Sequence, residues 1–195
     1  MKMIDHRIFP TLVGKFEEVL FPEQCDEIIA YINTDKLETY GALLGDATTS
    51  FLERDVLSSL PEMLRVVISN KIKICINQYV EVYGCNFVDI SNTWVSYQYP
   101  NSKLKKHSHP GSTISGVLYL RADEESSPIY FYNPNPFASF TTINNMENPF
   151  TREHMKFTPK TGDLLLFPSW LMHGSDVEKN MSKERIILSF NTVEV

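Results

Sequence analysis

Arg185-Ile-Ile-Leu-Ser-Phe-Asn191 alternates residue by residue. Side chains of an extended strand point to opposite faces in turn, so Ile186, Leu188 and Phe190 share one side. Arg185, Ile187, Ser189 and Asn191 share the other, and its polar groups suit a cavity better than a dry core. A strand of this kind belongs to a mainly β fold. Reading backwards, short β-rich runs separated by Asn, Pro and Gly fill the chain as far as Gly84. They lie near 87–99, 112–120, 128–133, 137–143, 154–158, 162–168 and 184–193.

Before Gly84 the period changes to helical. Phe21-Pro22-Glu23 opens a helix, because proline fits the first turn and an acid suits the positive end of the dipole. Cys25, Ile28, Ile29 and Ile32 then make one apolar stripe. A longer helix runs from about Leu60 to Tyr83, with Leu64, Ile68, Ile72, Cys75, Tyr79 and Tyr83 on one face. Gly84 is its stop. Asp46-Ala-Thr-Thr-Ser50 reads as a loop. The expected architecture is a single domain, 1–195. It has a mostly helical layer over 1–86 packed on one face of a sandwich or jelly roll over 87–195.

Composition excludes several classes. Of 195 residues, 43% are hydrophobic and 22% charged, as in ordinary globular proteins. No apolar run approaches the ~20 residues of a membrane span, and the start, Met-Lys-Met-Ile-Asp-His6, has no apolar signal core. A cytoplasmic protein without a membrane partner is expected. Eighteen basic against 24 acidic residues give a net charge of −6, which argues against a duplex nucleic acid partner. Cys25, Cys75 and Cys85 offer neither a disulfide framework nor a zinc ribbon. Cys25 and Cys75 read as buried apolar residues.

The chemistry points to histidine. His107-Ser-His109 places two imidazoles on one side of an extended segment, where both can reach one ion. By itself such a pair, beside Lys103, Lys105 and Lys106, reads as a solvated turn. However, Pro110-Gly-Ser112 leads directly into Ile114–Leu120, so the pair sits at a strand mouth. His173 follows the apolar strand Gly162–Pro168 and is suitably placed as a third, remote ligand. His6 and His154 have no comparable setting.

A set of ordered blocks now becomes recognisable. Thr93-Trp-Val, His107-Ser-His-Pro-Gly-Ser-Thr-Ile-Ser-Gly-Val-Leu-Tyr-Leu120, Ile129-Tyr-Phe-Tyr-Asn-Pro134, Pro159–His173 and Glu184–Asn191 together resemble a family of 2-oxoglutarate- and Fe(II)-dependent oxygenases of bacteria, phages and marine metagenomes. Ile8-Phe-Pro-Thr-Leu12 is similar to that family's opening. The resemblance implies a double-stranded β-helix with an N-terminal helical layer. It implies Fe(II) as metal, 2-oxoglutarate as co-substrate, and hydroxylation of a small-molecule or peptide substrate with release of succinate and CO2.

In the wider superfamily a His-x-Asp or His-x-Glu pair and a distal His hold the iron. Carried over, His107 and His173 take two ligand positions, and His109 stands where the carboxylate would be. Either three imidazoles bind the metal or a carboxylate from elsewhere completes the set, Asp176 being one candidate; Asp163 reads as a turn residue. The resemblance also implies a basic anchor for the far carboxylate of 2-oxoglutarate, and Arg185 fits it, with Ser189 on the same strand face. Its plainer alternative is an ion pair with Glu184. Tyr97 is the candidate co-substrate contact on the strand entering the site. Tyr119, Tyr130, Tyr132 and Trp170, with loops 133–140 and 144–150, mark an expected pocket edge. The lysines near His107 offer an attraction for an anionic substrate.

Two other readings compete. Gly162, Pro168 and His173 reproduce the spacing of a cupin's second motif, which would make a metal-binding protein that does not use 2-oxoglutarate. The glutamate of the first cupin motif is missing, since none precedes Glu124. The other is a non-catalytic jelly-roll binding module. A homodimer through edge strands is open.

Overall fold

The computed structural model describes residue 3 and residues 9–53, 55–135 and 147–195. Among the described residues eleven strands and two α-helices follow the chain. Strands β1 (Gly14–Phe16), β2 (Leu43–Leu44) and β3 (Ala47–Thr49) come first, with α1 (Pro22–Tyr31) between β1 and β2. Helix α2 (Glu62–Tyr83) leads to β4 (Val88–Gln98), β5 (Lys103–Leu104), β6 (Ile114–Arg121) and β7 (Ile129–Tyr132). The last are β8 (His154–Phe157), β9 (Leu164–Pro168), β10 (His173–Gly174) and β11 (Arg185–Glu194).

Strand β11 is the spine. It lies between β4 and β6, antiparallel to both, in a six-stranded sheet ordered β1-β9-β6-β11-β4-β3. A smaller sheet, β10-β7-β8, faces it, and β2 pairs with β5 in a short ribbon. The alternation read in β11 separates two cores. Ile186, Leu188 and Phe190 join the core shared with Cys25, Ile28, Ile68, Ile72 and Tyr79 of the helices. Ile187 turns the other way, into a second core with Val117, Phe131, Leu165 and Phe167 between the two sheets. Each large aliphatic side chain so buried contributes about 1.5–3 kcal/mol. The helical layer therefore covers the back of the large sheet, and its front is left to form a cup.

Both helices begin and end as their sequences direct. Gln24 accepts the Phe21 N–H at 3.2 Å at the start of α1. Gly84 closes α2 in the left-handed conformation at φ 75°. Another glycine is required by packing: a Cβ at Gly116 would lie 2.1 Å from the Phe190 ring. Arg121 pairs with Asp26 at 2.7 Å and with Glu184, tying α1 to the sheet.

The structure corrects several expectations. Residues 46–50 are not a loop: Ala47–Thr49 form an edge strand against Ser96–Gln98. The Thr49 hydroxyl donates to the Val95 carbonyl at 2.7 Å, so threonines that look like turn residues are held by a partner strand. The first 86 residues, expected to be mostly helical, also supply β1 and β2. Strand β9 starts at Leu164, because Gly162 occupies a turn at φ 87°. The expected strand over 137–143 and most of the loops proposed as pocket edge lie outside the described residues, as does His6. Among the described residues no helix is long and apolar enough to cross a membrane.

Candidate metal centre

The site begins with backbone pairing. His107 and His173 form an antiparallel bridge, each N–H donating to the other's carbonyl at 2.9 Å. Ser175 N–H donates to Leu104 carbonyl at 2.9 Å, and Leu104 N–H to the Ser175 hydroxyl at 3.0 Å, extending the zipper. Gly174 makes this approach feasible, since a Cβ there would meet backbone atoms of Leu104, Lys105 and Lys106 at 2.9–3.0 Å. His109 is anchored separately, its N–H donating to the Ser169 carbonyl at 2.9 Å.

These anchors bring the imidazoles of His107, His109 and His173 together, with one nitrogen of each lying within 4.8 Å of the others. Two nitrogens sharing an ion at 2.0–2.2 Å stand no more than about 4.4 Å apart. On a facial site, with ligands about 90° apart, that separation is about 2.8–3.1 Å, and His109 Nε2 and His173 Nε2 already stand 3.3 Å apart. His107 Nδ1–H donates to the Lys105 carbonyl at 2.8 Å, and His173 Nδ1–H to the Leu171 carbonyl at 2.8 Å. Both Nε2 lone pairs are thereby directed to the centre. Burial lowers the pKa of His107 and pulls that of His173 well below 6.5, the latter aided by the neighbouring His107. The neutral, metal-binding form of each is favoured.

The third imidazole hangs on a polar chain. The Ser169 and Ser115 hydroxyls are 2.8 Å apart, and Ser115 donates to Asn191 Oδ1 at 2.7 Å. The Asn191 amide nitrogen lies 3.5 Å from His109 Nδ1. A serine hydroxyl donates or accepts, so the amide can turn over without losing its partners. It then offers oxygen to His109 Nδ1–H and leaves Nε2 bare. A donor set of three imidazoles fits a borderline divalent ion such as Fe(II).

Among the described residues no carboxylate joins this cluster. Asp176 is held by the Tyr132 hydroxyl, and its charge is felt at His107, where it favours the protonated form. Asp163, at the far end of β9, pairs with Lys15 at 3.0 Å.

A cavity of about 210 Å³ opens beside the three histidines, and Arg185, Ser189 and Gln98 line it. Arg185 is 2% exposed. It donates to the Gln98 side chain, its register partner on β4, and lies over the Tyr119 ring at 5.4 Å. It does not pair with Glu184, which binds Arg121. Burial lowers the Arg185 pKa, yet a guanidinium stays protonated in proteins. A buried cation facing a neutral amide and a ring suits an anionic ligand. Among the described residues, Arg185 Nε and Gln98 Nε2 are buried without hydrogen-bond partners around it.

Tyr97 is not on this wall. It sits in the helix-side core, because its β4 neighbours Ser96 and Gln98 take the cavity face. Tyr130 and Tyr132 bind Glu178 and Asp176, and Trp170 is half exposed. The lysines do not line the cavity: Lys103 binds the Asp176 carbonyl at 2.6 Å, Lys105 the Gly41 carbonyl at 2.8 Å, and Lys106 lies 4.0 Å above the Tyr132 ring. Gln98, Trp94, Phe51 and Tyr40 line it unforeseen. Only Gln98 had a usable signal, its place one residue beyond Tyr97 on an alternating strand.

Comparison with known proteins adds to this geometry. The family described as "Putative 2OG-Fe(II) oxygenase" matches residues 92–191. HygX from Streptomyces hygroscopicus, solved with nickel and 2-oxoglutarate, superposes with a TM-score of 0.65 at 11% identity, over 95% of this chain and 84% of that one. The viral collagen prolyl hydroxylase from Paramecium Bursaria Chlorella virus-1, solved as its 2-oxoglutarate complex, gives 0.59 at 14%, over 94% and 96%. A Pseudomonas putida prolyl-4-hydroxylase gives 0.55 at 12%, over 95% and 94%. At such identities the likeness establishes the fold, a double-stranded β-helix. No curated protein matches the chain by sequence.

Proposed function

From the premise that this chain belongs to the 2OG-Fe(II) oxygenase family, and so is a 2-oxoglutarate-dependent oxygenase using Fe(II), we propose which of its residues do which work. His107, His109 and His173 hold the metal. Arg185, seconded by Gln98 and Ser189, holds the far carboxylate of 2-oxoglutarate. The bound metal would supply oxygen activation coupled to decarboxylation of 2-oxoglutarate to succinate and CO2, with hydroxylation of the substrate as the outcome.

The observation that carries this reading is the coexistence, in one cavity, of three converging imidazoles and a buried guanidinium that meets no anionic partner among the described residues. The division of labour follows from charge. The neutral imidazoles do not cancel the charge of a divalent ion, so an anionic 2-oxo acid group is welcome beside them. Arg185 orients the other end through its planar fork, whose geometry matches a carboxylate. The apolar residues Ile187, Phe167 and Val117 along the wall limit water.

A small-molecule or peptide substrate fits the size of the cavity. The three free cysteines, Cys25, Cys75 and Cys85, support work in the reducing cytoplasm. The continuous core joining both helices to the large sheet supports one domain over 1–195.

The test is anaerobic reconstitution with Fe(II), then addition of oxygen and 2-oxoglutarate and measurement of succinate. The parent is expected to form succinate, and His109→Ala and Arg185→Ala are expected to lose most of it. Variants that match the parent would refute the assignment.

A further inference from the structure

We propose that the outer part of the cavity is a subsite for an uncharged, ring-shaped group of the substrate, stacked on Trp94 and edged by Phe51 and Tyr40. The proposal rests on the oxygenase reading, because it concerns what is brought to the metal.

Position is the first argument. The Trp94 ring lies 5.6 Å from that of His109, so a group resting on Trp94 is next to the metal position. The ring wall continues outward: Phe51 meets Trp94 edge-on at 5.3 Å, and Tyr40 meets Phe51 at 4.6 Å. Exposure grades along it, from 7% at Trp94 to 38% at Tyr40. Aromatic faces laid from the surface to a reactive centre favour flat or cyclic groups, which contact them with little loss of rotational freedom.

Charge is the second. Among the described residues Arg185 is the only Lys, Arg, Asp or Glu lining the cavity, and the co-substrate carboxylate takes it. A charged group on the substrate would enter with no partner, which desolvation penalises. The Thr49 and Ser96 hydroxyls on this side already donate within the protein. Thr49 donates to the Val95 carbonyl at 2.7 Å, and Ser96 donates to Thr49 at 3.0 Å. What faces the incoming group is therefore chiefly ring carbon.

Size is the third. Pockets that enclose a drug-sized ligand measure about 300–1,000 Å³. This one, at about 210 Å³, must also admit 2-oxoglutarate. It takes one ring-sized group of a larger molecule, whose remainder stays near Tyr40.

The test uses Trp170→Phe protein, in which Trp94 is the sole tryptophan. Its emission is titrated with cyclohexanecarboxamide, cyclohexanecarboxylate and cyclohexylmethylammonium, in metal-free protein and with Ni(II) and 2-oxoglutarate loaded. The neutral amide is expected to shift Trp94 emission saturably, with a Kd at least about tenfold below either ion. Tyr40→Ala and Phe51→Ala are each expected to weaken it, Phe51→Ala by about tenfold. Thermal melts establish that each variant is folded, and Tyr40→Ala, at an exposed position, serves if Phe51→Ala is not. An ion that binds as tightly as the amide, an amide that leaves Trp94 unmoved, or folded variants that bind it like the parent would overturn the proposal. Calorimetric titration of 2-oxoglutarate into the Ni(II)-loaded parent reports separately on the oxygenase reading. Its failure would leave the metal-free ring titration to stand or fall by itself.

Discussion

His107 and His173, 66 residues apart, exchange backbone hydrogen bonds at 2.9 Å in both directions. The two proposed metal ligands are thus fixed by main chain before any metal arrives, and their Nδ1–H groups are spent on the carbonyls of Lys105 and Leu171. Preorganisation of this kind lets binding energy go into the metal bonds rather than into ordering loops.

The first prediction concerns His109, the third proposed ligand. Asn191 reaches His109 through a chain fixed by Ser115 and Ser169. Asn191→Ala is expected to weaken Fe(II) or Ni(II) affinity by about 10–100-fold. Calorimetric titration checks this, with an unchanged far-ultraviolet dichroism spectrum as control for folding.

Arg185 sets up a contrast between stability and binding. Among the described residues its buried charge meets Gln98 and the Tyr119 ring and no acidic partner. The paired change Gln98→Leu/Arg185→Met removes the charge together with its amide partner. The expected free protein melts no lower than the parent, because apolar replacement of buried charge is often neutral or stabilising. Protection by 2-oxoglutarate in the same melt should vanish.

Acid should destabilise the metal-free protein through His173 and His107. Their folded pKa values lie below the ordinary 6.5 because burial disfavours the cation. Between 6.5 and those lowered values the unfolded chain binds protons that the folded one refuses, so stability falls as pH falls through that window. Urea denaturation from pH 7.5 to 5 is expected to show this slope, and His173→Phe to flatten it.

Packing at the spine of the sheet is equally testable. A methyl group at Gly116 would overlap the Phe190 ring, with the Cβ at 2.1 Å. Gly116→Ala is expected to cost about 1–3 kcal/mol. Gly116→Ala/Phe190→Leu should recover part of that loss in chemical denaturation.

The parts legible in the sequence are those with a period. Residues 185–191 alternate over enough positions to separate a core face from a cavity face, and the helix-side core does hold Ile186, Leu188 and Phe190. The stripes of α1 and α2 were readable for the same reason. Strands β2, β5 and β10, of two residues each, are too short to carry a period and exist through their partners. The opposition of Arg185 and Gln98 depends on register between β11 and β4, which one sequence does not encode. The phenol of Tyr97 therefore stands out in the sequence, while the amide beside it gains its place only in the fold. The ring wall escaped because Tyr40 and Phe51 come from segments without a pattern and meet Trp94 only in the folded chain.

The central claim is that three imidazoles, without a carboxylate, hold one Fe(II) in this chain. X-ray absorption of the anaerobic protein loaded with Fe(II) and 2-oxoglutarate tests it most directly. The account predicts scattering from three imidazole rings with Fe–N near 2.0–2.2 Å, falling to two rings in His109→Ala. A parent spectrum with two imidazoles, unchanged in His109→Ala, would contradict it.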